Sequence, residues 1–236
     1  MKERYDTTSA KHYAAFRPAL HGLILDRAIH PGEFFRNGLD VGCGTGYSAI
    51  ALTKYCGKVF GLDVSQAMLD LAQGHPNVTY VQGTGDALNF PAHAFDIVTF
   101  AGSLFYTKTA KLRSELVRVC QPGGTIIVYD FNILLKDILF AVGIDSPLDS
   151  SDYDYHASLS DCAEIVTESK CIEQLQLKLS EQEIAHLILA DSIYYDAISK
   201  RFTFGDPFAT LVDALKRRSN KLNVCADIFF SRYRMA

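Results

Sequence analysis

The stretch that decides the fold is Leu39-Asp40-Val41-Gly42-Cys43-Gly44-Thr45-Gly46-Tyr47. An apolar run ends in an acid, three alternating glycines follow, and residues 48–55 have a helical pattern. A strand that turns this tightly into a helix needs backbone freedom and no Cβ bulk, so that a ligand can approach the main chain. The stretch therefore predicts a strand, a ligand-binding loop and a helix in succession.

Two further acids follow at an even spacing. Asp63 comes 23 residues after Asp40, and Asp86 comes 23 residues after Asp63. Each of these two acids stands at the end of, or just beyond, an apolar run rich in β-formers. A parallel sheet would bring all three acids to one edge, where open α/β sheets bind their ligands.

Apolar runs and helical patterns alternate as far as residue 131, which is typical of βαβ units with right-handed crossovers. Beyond it, the pattern predicts one long helix from 181 to about 199, a second helix to about 218 and a closing strand. We expect an α/β fold with a seven-stranded, mostly parallel sheet, helices on both faces and a small helical cap over about 180–218. Residues 1–236 are expected to form a single domain.

The composition and net charge limit the kinds of partner that this chain is expected to bind. The net charge is −4, so no global basic field attracts nucleic acid or anionic lipid. The six cysteines show no metal-ligand spacing, and we find no apolar run long enough for a membrane span. We expect a cytoplasmic protein with free thiols and no metal, nucleic-acid or membrane partner. The oligomeric state stays undetermined.

The acids at this edge of the predicted sheet indicate which kind of ligand binds there. Asp63, at the end of the second predicted strand, can accept two hydrogen bonds from the diol of a ribose, and its charge would repel a 2′-phosphate. In Gly85-Asp86-Ala87, the Asp86 carboxylate can accept a hydrogen bond from the amine edge of a base, and the Ala87 N–H can donate one to it. Together these groups describe an adenosine pocket without a phosphate clamp.

The sequence resembles the class I S-adenosylmethionine-dependent methyltransferases, which have a Rossmann-like fold, and in particular their small-molecule branch. The resemblance is strong over roughly residues 35–131 and weak elsewhere. It rests on five blocks in order: Leu39 to Gly46, Gly61 to Leu69, Gly85 to Pro91, Phe95 to Val98, and Val119 to Gly124.

The resemblance implies the contacts to the amino-acid and ribose parts of S-adenosylmethionine. Backbone groups around Gly42 and Gly44 would hold the methionine part, and the backbone of Ala101 would contact its amino group. Asp63 would bind both ribose hydroxyls. For Asp40 two roles stay open, direct contact with the cofactor or support of the glycine loop by hydrogen bonds.

The resemblance also implies the contacts to the adenine. Val64 and Met68 would pack against the ring, Asp86 would accept a hydrogen bond from its amino group, and the Ala87 N–H would meet a ring nitrogen. An ordinary turn is the alternative role for Asp86.

The N-terminal region, about residues 5–30, is similar to a mobile lid helix of the same family. There Tyr13 would cover the cofactor and Arg17 would lie near its carboxylate. The rival cofactor is a dinucleotide, since dehydrogenases also place an acid about 20 residues after their glycines. The dinucleotide-binding fingerprint has a third glycine at the position that Tyr47 occupies in this chain. We therefore favour S-adenosylmethionine.

No residue is identified as a catalytic base from the sequence. Methyl transfer is an in-line displacement in which alignment and exclusion of water matter most, and a base is needed only when the acceptor must lose a proton early. Tyr106 is a candidate because the resemblance places it where this family often meets its substrate. His156 is a second candidate, with a plain loop histidine as the alternative.

The acceptor is expected to be a small molecule, because the chain is similar to trans-aconitate methyltransferases and to methyltransferases of quinone biosynthesis. Aromatic residues of the predicted cap could line an acceptor pocket or form a helix core: Tyr194, Tyr195, Phe202, Phe204 and Phe208. Two other functions stay open. One is non-catalytic binding of S-adenosylmethionine, and the other is methylation of a protein or nucleic acid.

Overall fold

The computed structural model describes residues 11–12, 15–144, 153–202, 205–218 and 223–236. The chain divides into two compact units. The larger unit comprises residues 19–131, 153–173 and 228–236, and the smaller unit comprises residues 1–18, 132–152 and 174–227. Each is described below by itself.

Strands and helices alternate along the chain. The strands are β1 (Phe35–Val41), β2 (Cys56–Asp63), β3 (Val78–Gln82), β4 (Phe95–Ala101), β5 (Cys120–Leu134), β6 (Ile165–Leu177) and β7 (Val224–Met235). The helices are α1 (Leu20–Ala28), α2 (Tyr47–Leu52), α3 (Gln66–Asp70), α4 (Leu104–Thr107), α5 (Ala110–Val119), α6 (Lys136–Ala141), α7 (Glu181–Leu189), α8 (Ser192–Arg201) and α9 (Pro207–Lys216).

The seven strands form one sheet in the order β3-β2-β1-β4-β5-β7-β6. The pairs β3–β2, β2–β1, β1–β4 and β4–β5 are parallel, and the sheet has one antiparallel edge. The predicted seven-stranded, mostly parallel α/β fold is confirmed. The strand order changes direction at β1, which lies between β2 and β4, so the carboxyl ends of β1 and β4 form the switch point where such sheets bind ligands.

The core of the larger unit follows from the composition of its central strands. β5 contains Thr125-Ile126-Ile127-Val128-Tyr129, an uninterrupted buried run of the kind found in strands covered on both faces. α5 packs against the same core with Leu112, Leu116 and Val119 at helical spacing. Thr109 begins this helix by accepting a hydrogen bond from the Leu112 N–H.

The segment Gln121-Pro122-Gly123-Gly124, whose residues favour a turn, lies within β5. Phe95 of β4 pairs with Cys120, whereas Ile97, two residues later, pairs with Thr125. The extra residues on β5 are accommodated by a bulge, and Gly123 takes a positive φ of 74°. β5 therefore begins at Cys120, before this segment, because the chain pairs with β4 on both sides of it.

The helices of the smaller unit have a core of their own. α6, α7, α8 and α9 bring together side chains such as Leu139, Ile188, Ile198 and Leu211, all fully buried. Ser180 and Glu183 form the predicted capping box at the start of α7. The prediction of one long helix to about 199 was wrong. The side chain of Asp191 accepts a hydrogen bond from the Ile193 N–H and so starts a new helix, α8.

The N-terminal region is not one continuous helix. Residues 16–18 are not helical, as expected for a break near Pro18, and α1 begins at Leu20. Over the described ranges, no helix is long and apolar enough to cross a membrane, and no cluster of potential metal ligands occurs. All six cysteines are free thiols.

A buried arginine joins several elements of the larger unit. Arg232 of β7 is only 4% exposed. Its guanidinium donates to both carboxylate oxygens of Glu33 at 2.8 Å, to Glu168 at 2.8 Å and to the Ala28 carbonyl oxygen at 3.2 Å. Arg232, Glu33 and Glu168 line part of a cavity of about 390 Å³ at the amino ends of β1, β4 and β5, away from the switch point. Since the carboxylates and the guanidinium satisfy one another, we interpret this cavity as a structural ion-pair site.

Replacing this arginine should destabilise the larger unit. Arg232→Met removes the charged hydrogen bonds and leaves Glu33 and Glu168 without their partner, and should lower the free energy of unfolding by roughly 2–3 kcal/mol. Arg234→Met is the matched control, because Arg234 is mostly exposed and lies 3.4 Å from Glu168. It should cost less than about 1 kcal/mol. Denaturant unfolding of both variants measures the difference, and equal losses would contradict this role for Arg232.

Candidate functional site

The glycine loop lies between β1 and α2, at the switch point of the sheet. Gly42, Gly44 and Gly46 have φ values of 76°, 53° and 88°, a conformation that side chains disfavour. The N–H groups of Gly42 and Cys43 donate to the Leu62 carbonyl oxygen at 2.7 and 3.0 Å, which holds the start of the loop against the end of β2. The sequence prediction of a strand–loop–helix unit is confirmed.

The surroundings of the glycines differ. A Cβ at Gly42 would lie 2.5 Å from the Ser103 Cβ, and a Cβ at Gly46 would lie 2.0 Å from the Tyr80 hydroxyl oxygen. At Gly44, by contrast, a Cβ would meet no atom within 4 Å. Gly42 and Gly46 are therefore required by protein packing, whereas the space beside Gly44 is open and a ligand can reach the backbone there.

Asp40 lies fully buried below the loop. Its carboxylate accepts hydrogen bonds from the Ser48 hydroxyl of α2 at 2.5 Å and from the Thr99 hydroxyl of β4 at 2.8 Å. Burial raises the pKa of the carboxyl to about 6, although both hydroxyls favour the ionised form. Of the two roles considered for Asp40, these contacts favour support of the loop and of its neighbours.

Asp63 connects the glycine loop to the following helix. One carboxylate oxygen accepts from the Gly44 N–H at 2.8 Å, and the other accepts from the Ser65 N–H at 2.9 Å. The side chain is partly exposed, and each oxygen has a second lone pair. Asp63 can therefore hold the loop and still accept hydrogen bonds from two hydroxyl groups of a ligand.

The residues expected to surround an adenine lie beyond β2 and β3. Val64 is 62% exposed, and Met68 is partly buried in α3. Asp86 is exposed and accepts a hydrogen bond from the Thr109 hydroxyl. The Ala87 N–H donates to the Thr84 carbonyl oxygen at 3.2 Å, so a ring nitrogen would have to share or replace that contact.

Three further residues were predicted to contact the cofactor: Ala101, Arg17 and Tyr13. Ala101 is the last residue of β4, beside Tyr129 of β5, and Gly102 follows with a positive φ of 67°. Arg17 is partly buried in the smaller unit. Tyr13 lies outside the described residues.

The structure brings both candidate catalytic residues into one group of rings. This aromatic cluster consists of Phe105, Tyr106, Tyr153, Tyr155, His156 and Phe229, with neighbouring ring centroids 4.4 to 5.9 Å apart. Tyr106 in α4 is 62% exposed, and His156 is exposed and packs against Phe229 at 4.4 Å. Tyr153 and Phe229 had no sequence signal, because only the fold brings Tyr153 beside α4 and Phe229 beside His156.

Asp130 is a further residue that was not predicted from the sequence. It follows Tyr129 at the end of the buried part of β5, and its carboxylate receives hydrogen bonds from the Tyr153 hydroxyl and the Phe131 N–H. Burial raises the pKa of this carboxyl to about 6. The sequence signal that could have identified Asp130 is its position after an apolar strand segment at the carboxyl edge of the sheet. The three acids considered first were identified by this kind of position.

In the smaller unit, the predicted cap aromatics serve the helix core. Tyr194, Tyr195, Phe202 and Phe208 pack against its buried side chains, and Phe204 lies outside the described residues. His186 packs beside Phe208 with centroids 4.4 Å apart, and its Nδ1 lies 3.0 Å from the Nδ1 of His12. Helix packing therefore accounts for the described members of this set.

Comparison with known proteins points to methyltransferases. Residues 39–128 match the family model described as a methyltransferase domain. The chain is 28% identical over 159 residues to a demethylmenaquinone methyltransferase of Lactococcus lactis, with 58% of this chain and 62% of that protein covered. It is 30% identical over 126 residues to a ubiquinone biosynthesis O-methyltransferase of Vibrio cholerae, covering 50% of this chain and 51% of that protein.

The chain thus spans between half and two thirds of the length of these relatives. Among solved structures, a proposed type II methyltransferase from Anaeromyxobacter dehalogenans superposes with a TM-score of 0.67 over 93% of this chain and 98% of that chain. At 19% sequence identity this likeness shows a shared fold.

The buried carboxyl of Asp40 should make stability depend on pH. Its pKa of about 6 in the folded chain lies above the unfolded value of 3.8. The folded state therefore binds the proton more tightly, and stability falls as pH rises between these values and stays lower above about 6. Asp40→Asn keeps an oxygen acceptor and removes this ionisation.

Relative to Asp40→Asn, the wild type should lose roughly 2–3 kcal/mol of unfolding free energy between pH 4 and pH 7. Urea unfolding of both proteins across this range measures the difference. A constant difference across the range would contradict the raised pKa of Asp40.

Proposed function

The chain carries a class I S-adenosylmethionine-dependent methyltransferase domain, and we propose that it transfers the methyl group of S-adenosylmethionine to a small-molecule acceptor. The observation that carries this proposal is the link between Asp63 and the Gly44 N–H, beside open space at Gly44. This link puts a carboxylate that can accept from ribose hydroxyls beside open backbone, and so supports the proposal.

The residues present fit this cofactor. We propose that the loop around Gly42 and Gly44 holds the methionine part and that Asp63 accepts from both ribose hydroxyls. Asp63 retains lone pairs for this purpose. Because the side chain of Val64 is exposed, it can pack against an adenine without leaving a hydrophobic core.

The remaining cofactor contacts are proposed on the family pattern. Met68 would pack with Val64, Asp86 would accept from the adenine amino group, and Ala101 would contact the amino group of the methionine part. Asp40 supports the loop from below. Tyr13 and Arg17 stay predictions, as do the single domain, the lid over about 5–30 and the cap over about 180–218.

The bound cofactor supplies an activated methyl group on a positively charged sulfur. The protein then has to align the acceptor with that methyl group and exclude water, and these tasks need no residue that bonds covalently to either substrate. The loop and Asp63 fix the donor. The aromatic cluster, with Tyr106 well exposed, offers planar surfaces against which an acceptor ring can pack.

The small-molecule acceptor is supported by two relatives whose names refer to quinone biosynthesis. The net charge of −4 argues against a nucleic acid as the acceptor. A non-catalytic protein that binds the same cofactor remains the alternative. The two functions differ in turnover, since only an enzyme releases S-adenosylhomocysteine.

Asp63 should control cofactor affinity. Asp63→Asn replaces a charged acceptor of hydrogen bonds by a neutral amide, and each such bond contributes roughly 1.5–3 kcal/mol. We expect the dissociation constant for S-adenosylmethionine, measured by titration calorimetry, to rise at least about tenfold. Asp70→Asn is the matched control, because Asp70 is exposed and accepts only from the Gln66 side chain among the described contacts. Equal affinities for the two variants would remove Asp63 from the site.

A binding and turnover experiment tests the function itself. The wild type should bind S-adenosylmethionine and S-adenosylhomocysteine in calorimetry, and should not bind NAD. It should then release S-adenosylhomocysteine with a member of a panel of phenols, carboxylic acids and amines. Release with a bulk protein or RNA substrate alone would replace the small-molecule acceptor, and binding without any release would favour the non-catalytic alternative. Failure to bind either sulfur ligand would overturn the proposal.

A further inference from the structure

Asp130 lies directly beyond the proposed cofactor contact. Ala101 pairs with Tyr129 in the sheet, so the next residues of the two strands, Gly102 and Asp130, are also neighbours. The Gly102 N–H donates to the Tyr129 carbonyl oxygen at 2.8 Å, and a Cβ at Gly102 would lie 3.2 Å from one Asp130 carboxylate oxygen. A carboxylate therefore stands at the switch-point edge, one residue past the position proposed to touch the cofactor.

Tyr153 is hydrogen-bonded to this carboxylate. Its hydroxyl contacts Asp130 Oδ2 and also lies 2.8 Å from the Gly102 carbonyl oxygen. The other Asp130 oxygen accepts from the Phe131 N–H at 2.7 Å. A phenol held between a carboxylate and a carbonyl can pass its proton only to the carboxylate, which is the stronger base.

The same phenol belongs to the aromatic cluster. The ring of Tyr153 lies 5.0 Å from Phe105 and 5.5 Å from Tyr106, both of which are exposed. A planar acceptor packed on these exposed rings has the Tyr153 hydroxyl as a nearby polar group. The pair therefore connects a partly buried carboxylate to the surface that we propose for the acceptor.

We propose that Tyr153 and Asp130 form a proton relay that deprotonates the acceptor, which makes the acceptor a molecule with an acidic O–H group, of the phenol class. This inference rests on the methyltransferase function proposed above. As the acceptor oxygen bonds to the methyl carbon, the methyl–sulfur bond breaks and its electron pair stays on sulfur. The acceptor proton passes to the Tyr153 oxygen, and the Tyr153 proton passes to the Asp130 carboxylate.

The ionisation of the two groups suits this transfer. Burial raises the pKa of Asp130 to about 6, so the carboxylate is ionised yet basic near neutral pH. Burial and the neighbouring Asp130 raise the pKa of Tyr153, which keeps the phenol protonated until it is needed. The other titratable groups around the pair are Tyr106 and Tyr155 beside Tyr153, and Tyr129, which lies near Asp40 and whose hydroxyl contacts His21.

The experiment compares pH profiles of kcat/KM for hydroquinone, catechol and their nitro derivatives, followed by release of S-adenosylhomocysteine. With a phenol that is neutral at the assay pH, wild-type kcat/KM should rise to a plateau above about pH 6. Asp130→Asn and Tyr153→Phe should lower it at least about 100-fold, and the plateau should be replaced by a continued rise towards the pKa of the phenol itself. Nitro derivatives, already ionised in mildly alkaline buffer, should restore most of the activity.

The molecule offers a matched control pair. Tyr55 donates a hydrogen bond to Asp26 in the larger unit, on the chain segments before β1 and β2, away from the carboxyl ends of the strands. Tyr55→Phe and Asp26→Asn should leave the pH profile unchanged. All variants are checked by thermal unfolding and by S-adenosylmethionine affinity, and Tyr153→Phe carries the test if Asp130→Asn does not fold.

Several outcomes would overturn the relay. Equal losses with neutral and ionised phenols, at unchanged cofactor affinity, would mean that the pair only positions the acceptor. An unchanged wild-type pH profile in both variants would exclude any part in proton transfer. A wild type that binds S-adenosylmethionine but methylates only amines or carboxylic acids would overturn the relay and leave the proposed methyltransferase standing. Only a failure to bind the cofactor would count against both.

Discussion

The buried carboxylate of Asp40 is the interaction on which the site depends. It joins β1, the first turn of α2 and β4 through two hydroxyl hydrogen bonds, at the place where the strand order changes direction. A carboxylate without partners would be costly at this depth, so Ser48 and Thr99 are needed as much as the acid. With these three elements held together, the glycine loop has a fixed base.

Asp63 extends this arrangement towards the ligand. It uses one lone pair of each oxygen for the protein and leaves the others for hydroxyl groups outside it. The N–H of Gly44 donates to this carboxylate, and the place where a Cβ of Gly44 would lie is open. The same contact therefore shapes the loop and presents the carboxylate, which explains why the loop glycines and an acid 19 residues after Gly44 occur together.

The proposed acceptor side is built differently. Its residues come from α4, from β5, from residues 153–156 and from β7. These four segments supply one group of rings and one carboxylate–phenol pair.

The sequence by itself determined the parallel strands, the glycine loop and the acids at the strand ends, since these depend on local periodicity, glycine conformation and the direction of βαβ crossovers. It did not locate the break at Asp191, where a side-chain cap competed with a continuous apolar pattern. The pairing of Tyr153 with Asp130 and the joining of Tyr106 and His156 in one cluster were decided only by the tertiary structure. They bring together residues that are distant in sequence, such as Phe105 with Tyr153 and His156 with Phe229, and no local pattern encodes such contacts.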